Sequence, residues 1–75
     1  MSFLWKYKLK MITEIGIVAG EIWHYLDKHK ETTLTELFNN LGRPKELVLM
    51  SLGWLAREGH VLVRLEENEY KINLR

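Results

Sequence analysis

Along this chain the spacing of apolar residues changes three times, and each change marks a new element. Ile15, Ala19, Ile22, Trp23 and Leu26 recur at three- and four-residue steps, one face of a helix that runs from Ile12 to about His29. Thr33-Leu34-Thr35-Glu36 then reads as a capping box, with Thr33 as N-cap and Glu36 reaching back. The short helix behind it carries Leu37, Phe38 and Leu41 inward and ends at Gly42, where a left-handed residue is needed. Pro44 stands where a first helical residue is pre-organised, so the third helix is expected from Pro44 to Glu58, with Gly59 stopping it. The turn between the second and third helices has helix-turn-helix length.

After Gly59 the period becomes two. Val61, Val63 and Leu65 face one way and His60, Leu62, Arg64 and Glu66 the other. Glu67-Asn68 is a turn, and Tyr70, Ile72 and Leu74 alternate again to the end, which makes a hairpin. A short third strand is placed at Thr32 to Leu34. Three helices followed by a β-hairpin wing define an α+β winged helix-turn-helix.

Two features admit two readings each. Phe3, Trp5, Tyr7 and Leu9 alternate with lysines as in a strand, yet Phe3, Leu4, Tyr7 and Met11 equally make a helical stripe. Residues 1–11 are therefore set apart as an N-terminal extension, and 12–75 as the winged helix domain. Gly16 and Gly20, one turn apart, suit a close helix approach, or are tolerated without a role.

Ala19-Gly20-Glu21-Ile22-Trp23 and Leu52-Gly53-Trp54-Leu55-Ala56-Arg57-Glu58-Gly59 resemble a small family of prokaryotic winged helix-turn-helix domains. The likeness spans roughly Ile12 to Leu74, and Gly-Trp-Leu-Ala-Arg-Glu is its most specific stretch. It implies the fold, a structural unit that can dimerise, and no assigned activity, since fold does not fix function.

The third helix carries the functional information. In a DNA-reading winged helix it enters the major groove and offers polar side chains to base edges. Here Val48, Leu52 and Leu55 point inward, with Ser51 and Ala56 beside them. On the opposite side Leu47, Met50 and Trp54 follow at i, i+3 and i+7, with Leu49 and Gly53 near their edges. A helix apolar on nearly all sides is buried against something. One reading folds Trp54 over the hairpin of its own chain and lets Leu47 cap the second helix. The other makes Leu47, Met50, Gly53 and Trp54 a protein interface, most simply of a symmetric dimer. Six such side chains across a two-fold axis would contribute roughly 9–18 kcal/mol gross against an association cost of about 4–15 kcal/mol.

Charge argues the same way. The chain of 75 residues holds eleven basic and ten acidic residues, a net +1. Lys6, Lys8 and Lys10 supply three of those cations in a segment without acids, which leaves the remainder eight against ten, a net −2. A slightly acidic body is a poor footprint for a duplex, and the wing tip Glu66-Glu67-Asn68-Glu69 would meet phosphates with carboxylates. The rival reading, a DNA-binding regulator, would use Arg43, Lys45, Arg57 and Arg64. The lysines interleaved with aromatics at the N-terminus keep a single-strand-binding foothold.

Catalysis finds little support. A chain this short buries only about 60% of its unfolded surface, a thin core with no room for a supported cleft. His24 and His29 are five apart, on different sides of a helix, and His60 has no acidic residue spaced to complete a metal site. Ser51 has no base to activate it, and the Glu66, Glu67 and Glu69 cluster has no pocket to shift its pKa values. There is no glycine-rich phosphate loop. No cysteine is present, which fits a reducing compartment. No apolar run approaches the roughly 18 residues that cross a bilayer, and the first ten residues lack a signal-peptide core. The expectation is a cytoplasmic, non-enzymatic interaction or regulatory module without metal, cofactor or membrane. It self-associates or binds another protein.

Overall fold

The computed structural model describes the backbone of residues 3–75 and the side chains of residues 11–75. Six elements follow in order: α1 (Phe3–His29), β1 (Glu31–Thr33), α2 (Leu34–Leu41), α3 (Lys45–Arg57), β2 (Val61–Glu66) and β3 (Glu69–Leu74). This is a winged helix: three helices and a three-stranded antiparallel sheet of order β1-β3-β2.

Local chemistry accounts for each boundary. Helix α1 is longer than its apolar stripe, because the opening segment takes the helical of its two readings and continues the same helix. The proposed junction of a 1–11 extension with a 12–75 domain therefore lies inside α1. The side chains of Phe3, Trp5, Tyr7, Lys6, Lys8 and Lys10 lie outside the described residues, and so does the single-strand-binding reading built on them. Lys30 leaves α1 with φ 72°, a left-handed turn made without glycine. Strand β1 begins at Glu31 rather than Thr32 and ends at Thr33, whose hydroxyl is already the cap of α2. The Thr33 hydroxyl accepts from the Glu36 N–H at 3.1 Å and donates to the Glu36 carboxylate at 3.2 Å, so Glu36 reaches back to the side chain rather than the backbone.

Gly42 closes α2 in the left-handed region at φ 66°. Pro44 is the N-cap of α3, not its first helical residue, with ψ 139° keeping it extended. The end of α3 is a Schellman motif: His60 N–H bonds to Leu55 C=O at 2.9 Å and Gly59 N–H to Ala56 C=O at 3.1 Å, around Gly59 at φ 80°. In the hairpin, Glu67 (φ 53°) and Asn68 (φ 65°) are both left-handed, the signature of a type I′ turn whose twist matches the strands.

One core holds these elements together. Val18, Ala19, Ile22 and Leu26 of α1 pack with Leu37 of α2, Leu47, Val48, Leu52 and Leu55 of α3, and Val61 and Ile72 of the sheet. Ile72 pairs across to Thr32 on one side and Val63 on the other, so it anchors the middle strand at the centre of the core. The molecule measures 46 × 22 × 21 Å, and the long axis is that of α1. Among the described residues of α1, Ile15 is the first that packs against the core.

Replacing Lys30 by Gly removes a left-handed penalty of about 1 kcal/mol and should raise the melting temperature by about 4–8 °C. Gly59→Ala imposes the same penalty on the Schellman turn and should lower it comparably. Thermal unfolding followed by circular dichroism measures both.

Candidate interaction surface

With 100° between successive residues, α3 presents an inner arc and an outer one. Leu47, Val48, Ser51, Leu52 and Leu55 occupy the inner arc and are buried. Leu47 therefore does not belong to the proposed interface. It is 7% exposed and sits in the core, because one residue before Val48 it lies about 100° around the helix, still within reach of neighbouring elements. Met50 and Trp54 do face outward, at 44% and 48% exposure, and Leu49 joins them at 49%. Gly53 lies between them in open space, where an added Cβ would meet nothing within 4 Å.

Trp54 neither folds over the hairpin nor stands free. Its ring lies 6.5 Å from that of His60, tilted by 35°, and it divides two shallow clefts along α1. One is bounded by Gly16, Ala19, Gly20, Trp23, Leu55 and His60, the other by Ile12, Ile15 and Gly16. Gly16 and Gly20 touch no other element closely enough to require glycine, so within one chain they serve no close helix approach. Ile12 and Trp23 are exposed on the same flank, which extends the apolar surface of α3 onto α1.

On its other flank α3 faces the wing. Leu49, Leu52, Gly53 and Ala56 form one wall of a groove of about 310 Å³ whose remaining walls are Leu34, Val63 and Tyr70. Sequence reasoning did not single out Leu34, Val63 or Tyr70 as surface. Strand alternation turns Val63 and Tyr70 inward, and Leu34 opens α2 behind its cap; the two strand residues line this groove because the wing extends beyond the reach of the core.

The cations needed for reading DNA are mostly engaged. Arg43 forms a two-pronged pair with Glu21 of α1, at 2.9 and 2.5 Å. Its hydrogen bonds hold the Glu21 carboxyl below its ordinary pKa, a lowering that partial desolvation opposes and the charge of Arg43 reinforces. Arg64 bonds to Glu31 at 2.5 Å and Glu66 at 2.7 Å, with Lys71 also 3.5 Å from Glu66. The Lys45 ammonium lies 5.5 Å from the centre of the Phe38 ring, a cation–π distance. Arg57 is exposed at the end of the outer arc.

No group of three or more His, Asp or Glu side chains that could hold a metal ion comes together among the described residues. His24 meets the edge of Trp23, His29 stacks at 4.2 Å on Tyr25, and His60 lies beside Trp54. The Tyr25 hydroxyl accepts from Asn40 at 2.8 Å. Ser51 is fully buried, and its hydroxyl has no partner among the described residues. No helix among the described residues is long and apolar enough to cross a membrane.

A family model described as "Winged helix-turn-helix domain (DUF2582)" matches residues 9–74. The chain is similar to uncharacterized protein MJ1608 of Methanocaldococcus jannaschii, with 30% identity over 64 residues that span 83% of this chain and 91% of that protein. It is also similar to protein BT2368 of Bacteroides thetaiotaomicron, solved by solution NMR, at TM-score 0.73 and 27% identity over 83% of this chain and 76% of that one.

Two substitutions separate the arcs of α3. Leu47→Ala should cost about 2–5 kcal/mol as a core truncation, whereas Arg57→Ala, on the outer arc but outside the tryptophan cluster, should stay within about 0.5 kcal/mol, as surface changes do; urea titration compares them. Glu21→Gln should be slightly less stable than wild type near neutral pH. The stability held by a lowered carboxylate pKa is complete above its unfolded value of about 4.3 and is lost as pH falls through the folded one. The difference between the two proteins should therefore close in acid, as read by melting temperature against pH.

Proposed function

Because this chain belongs to the winged helix-turn-helix family whose model covers residues 9–74, we propose that it is a non-catalytic interaction module. It acts as a homodimer whose subunits meet through the outer arc of α3. Met50, Gly53 and Trp54 carry the contact, joined by Ile12 and Trp23 from α1. The observation behind this reading is the half exposure of Met50 and Trp54, at positions where a groove-reading helix needs hydrogen-bonding side chains.

Magnitudes are compatible with a pair. Covering the half-exposed Ile12, Trp23, Met50 and Trp54 of both subunits contributes roughly 6–12 kcal/mol, against an association cost of about 4–15 kcal/mol. The contact on α3 alone would contribute only about half as much, roughly 3–6 kcal/mol, at the low end of that cost, so the flank of α1 is part of the proposal. Gly16, Gly20 and Gly53 leave room for a partner's side chains beside the tryptophans.

The second reading, a DNA-binding regulator, draws on the family's helix-turn-helix and on the exposed Arg57. Against it stand the pairing of Arg43 and Arg64 with carboxylates and an acidic wing tip.

Sedimentation velocity decides the first point: the wild type should run at twice the chain mass, and Met50→Gln combined with Trp54→Gln should give a folded monomer. A wild type that stays monomeric at high micromolar concentration overturns the dimer. Titration with duplex DNA should show no sequence preference once salt is raised; a surviving preference would favour the regulator.

A further inference from the structure

The strand order β1-β3-β2 leaves β2 paired on one side only. The hairpin register sets which of its backbone groups are free. Glu66 pairs with Glu69 around the two-residue turn, and the pair that flanks such a turn exchanges both of its hydrogen bonds, after which bonded pairs alternate. Leu62, Arg64 and Glu66 therefore bond to β3. The same parity continues one step further, where His60 C=O accepts from Arg75 N–H at 3.0 Å. By that alternation the N–H and C=O of Val61, Val63 and Leu65 point to the open edge.

This edge lacks the usual guards. Natural edge strands are protected by proline, lysine, bulges or extreme shortness. Strand β2 has six residues and neither proline nor lysine, and its one arginine is held by Glu31 and Glu66. Val63 and Leu65 are 41% and 61% exposed. A strand added beside β2 would place its alternate side chains on the face of Val63, the face that lines the groove with Tyr70, Leu49, Gly53 and Ala56. At the end of this edge Glu67 and Glu69 are exposed and make no ion pair among the described residues, whereas Glu66 is already taken by Arg64 and Lys71.

We propose that the β2 edge and this groove receive an extended peptide segment of another protein, a contact separate from self-association. The segment lies antiparallel to β2, with aliphatic side chains at alternate positions and a basic residue at its N-terminal end, beside Glu67 and Glu69. Main-chain hydrogen bonds to Val61, Val63 and Leu65 hold it, and the groove selects its side chains, the division of labour of strand addition. A second copy is a poorer occupant. In an antiparallel pairing of two β2 edges, the segment brought toward Glu67 and Glu69 is the partner's Glu58-Gly59-His60, which offers those carboxylates neither lysine nor arginine.

The test uses the full chain and the blocked peptide acetyl-Lys-Val-Thr-Leu-Thr-Val-Thr-amide, followed by amide NMR. Saturable shifts and slowed exchange at Val61, Val63 and Leu65, with shifts at Gly53, are expected. The same peptide with glutamate for lysine should bind about fivefold more weakly. Val63→Pro deletes an outward donor without touching the β2–β3 bonds and should weaken binding about tenfold or more. Gly53→Leu, built into open space on another element, should block the groove while leaving the fold intact by circular dichroism. The proposal is overturned if the peptide does not bind or if its shifts fall on the Trp54 flank. It is equally overturned if the β2 edge amides of the peptide-free protein gain protection as concentration rises, which would make a second copy the occupant.

Discussion

The packing of α3 against α1 is the constraint from which the rest of this molecule follows. Val48, Leu52 and Leu55 meet Val18, Ala19, Ile22 and Leu26 in a single core, and Ile72 joins them from the middle strand. A chain of this size has few apolar residues to spare, so the orientation of α3 is set by where those three side chains must go. Once they are inside, Leu49, Met50, Gly53 and Trp54 have no choice but to face out. The apolar exterior of α3 is thus a consequence of its interior: the helix carries more apolar residues than one core can use.

Electrostatics sharpens the contrast with a DNA reader. The scaffold keeps the shape of a groove-reading domain, with a helix and wing flanking a common concavity, but the concavity is lined by Leu49, Val63 and Tyr70. Of the cations that such a scaffold would aim at phosphates, Arg43 ties the α2–α3 turn to α1 and Arg64 ties the outer face of the sheet to β1. These pairs are surface-exposed and contribute little stability. Their larger effect is to place a carboxylate against each guanidinium. Shape and charge have been separated here, which is how one fold comes to serve different partners.

The exposed apolar surface is divided, and Trp54 marks the division. On its α1 side lie Ile12, Gly16, Gly20 and Trp23; on the other, Gly53 opens toward the wing and the unpaired edge of β2. Singly exposed apolar residues need no explanation, but contiguous ones do. A helix-flank contact and a strand-edge contact use different physics, the first side-chain burial and the second main-chain hydrogen bonding. As proposed, the two contacts share only Gly53, which borders both surfaces.

Much of this fold could be read from the chain, because capping and periodicity are local. Thr33, Gly42 and Gly59 each declare a boundary through a requirement of their own backbone or side chain, and the alternation from Val61 to Leu74 declares the hairpin. Leu47 could not be placed that way. Spacing put it in line with Met50 and Trp54, yet a residue about 100° from the centre of a buried face is inside or outside according to what packs beside it, and here the core reaches that far. Val63 and Tyr70 fail in the opposite sense, since alternation turns them inward at a point where the wing has outrun the core. Gly16 and Gly20 resemble a helix-crossing motif in sequence and cross nothing within the subunit. The elements, their order and the apolar character of α3 were legible along the chain, because all are properties of neighbouring residues. Which apolar side chains remained at the surface, which cations were neutralised and which strand was left with a free edge were decided only by tertiary packing, because each depends on residues brought together from distant parts of the chain.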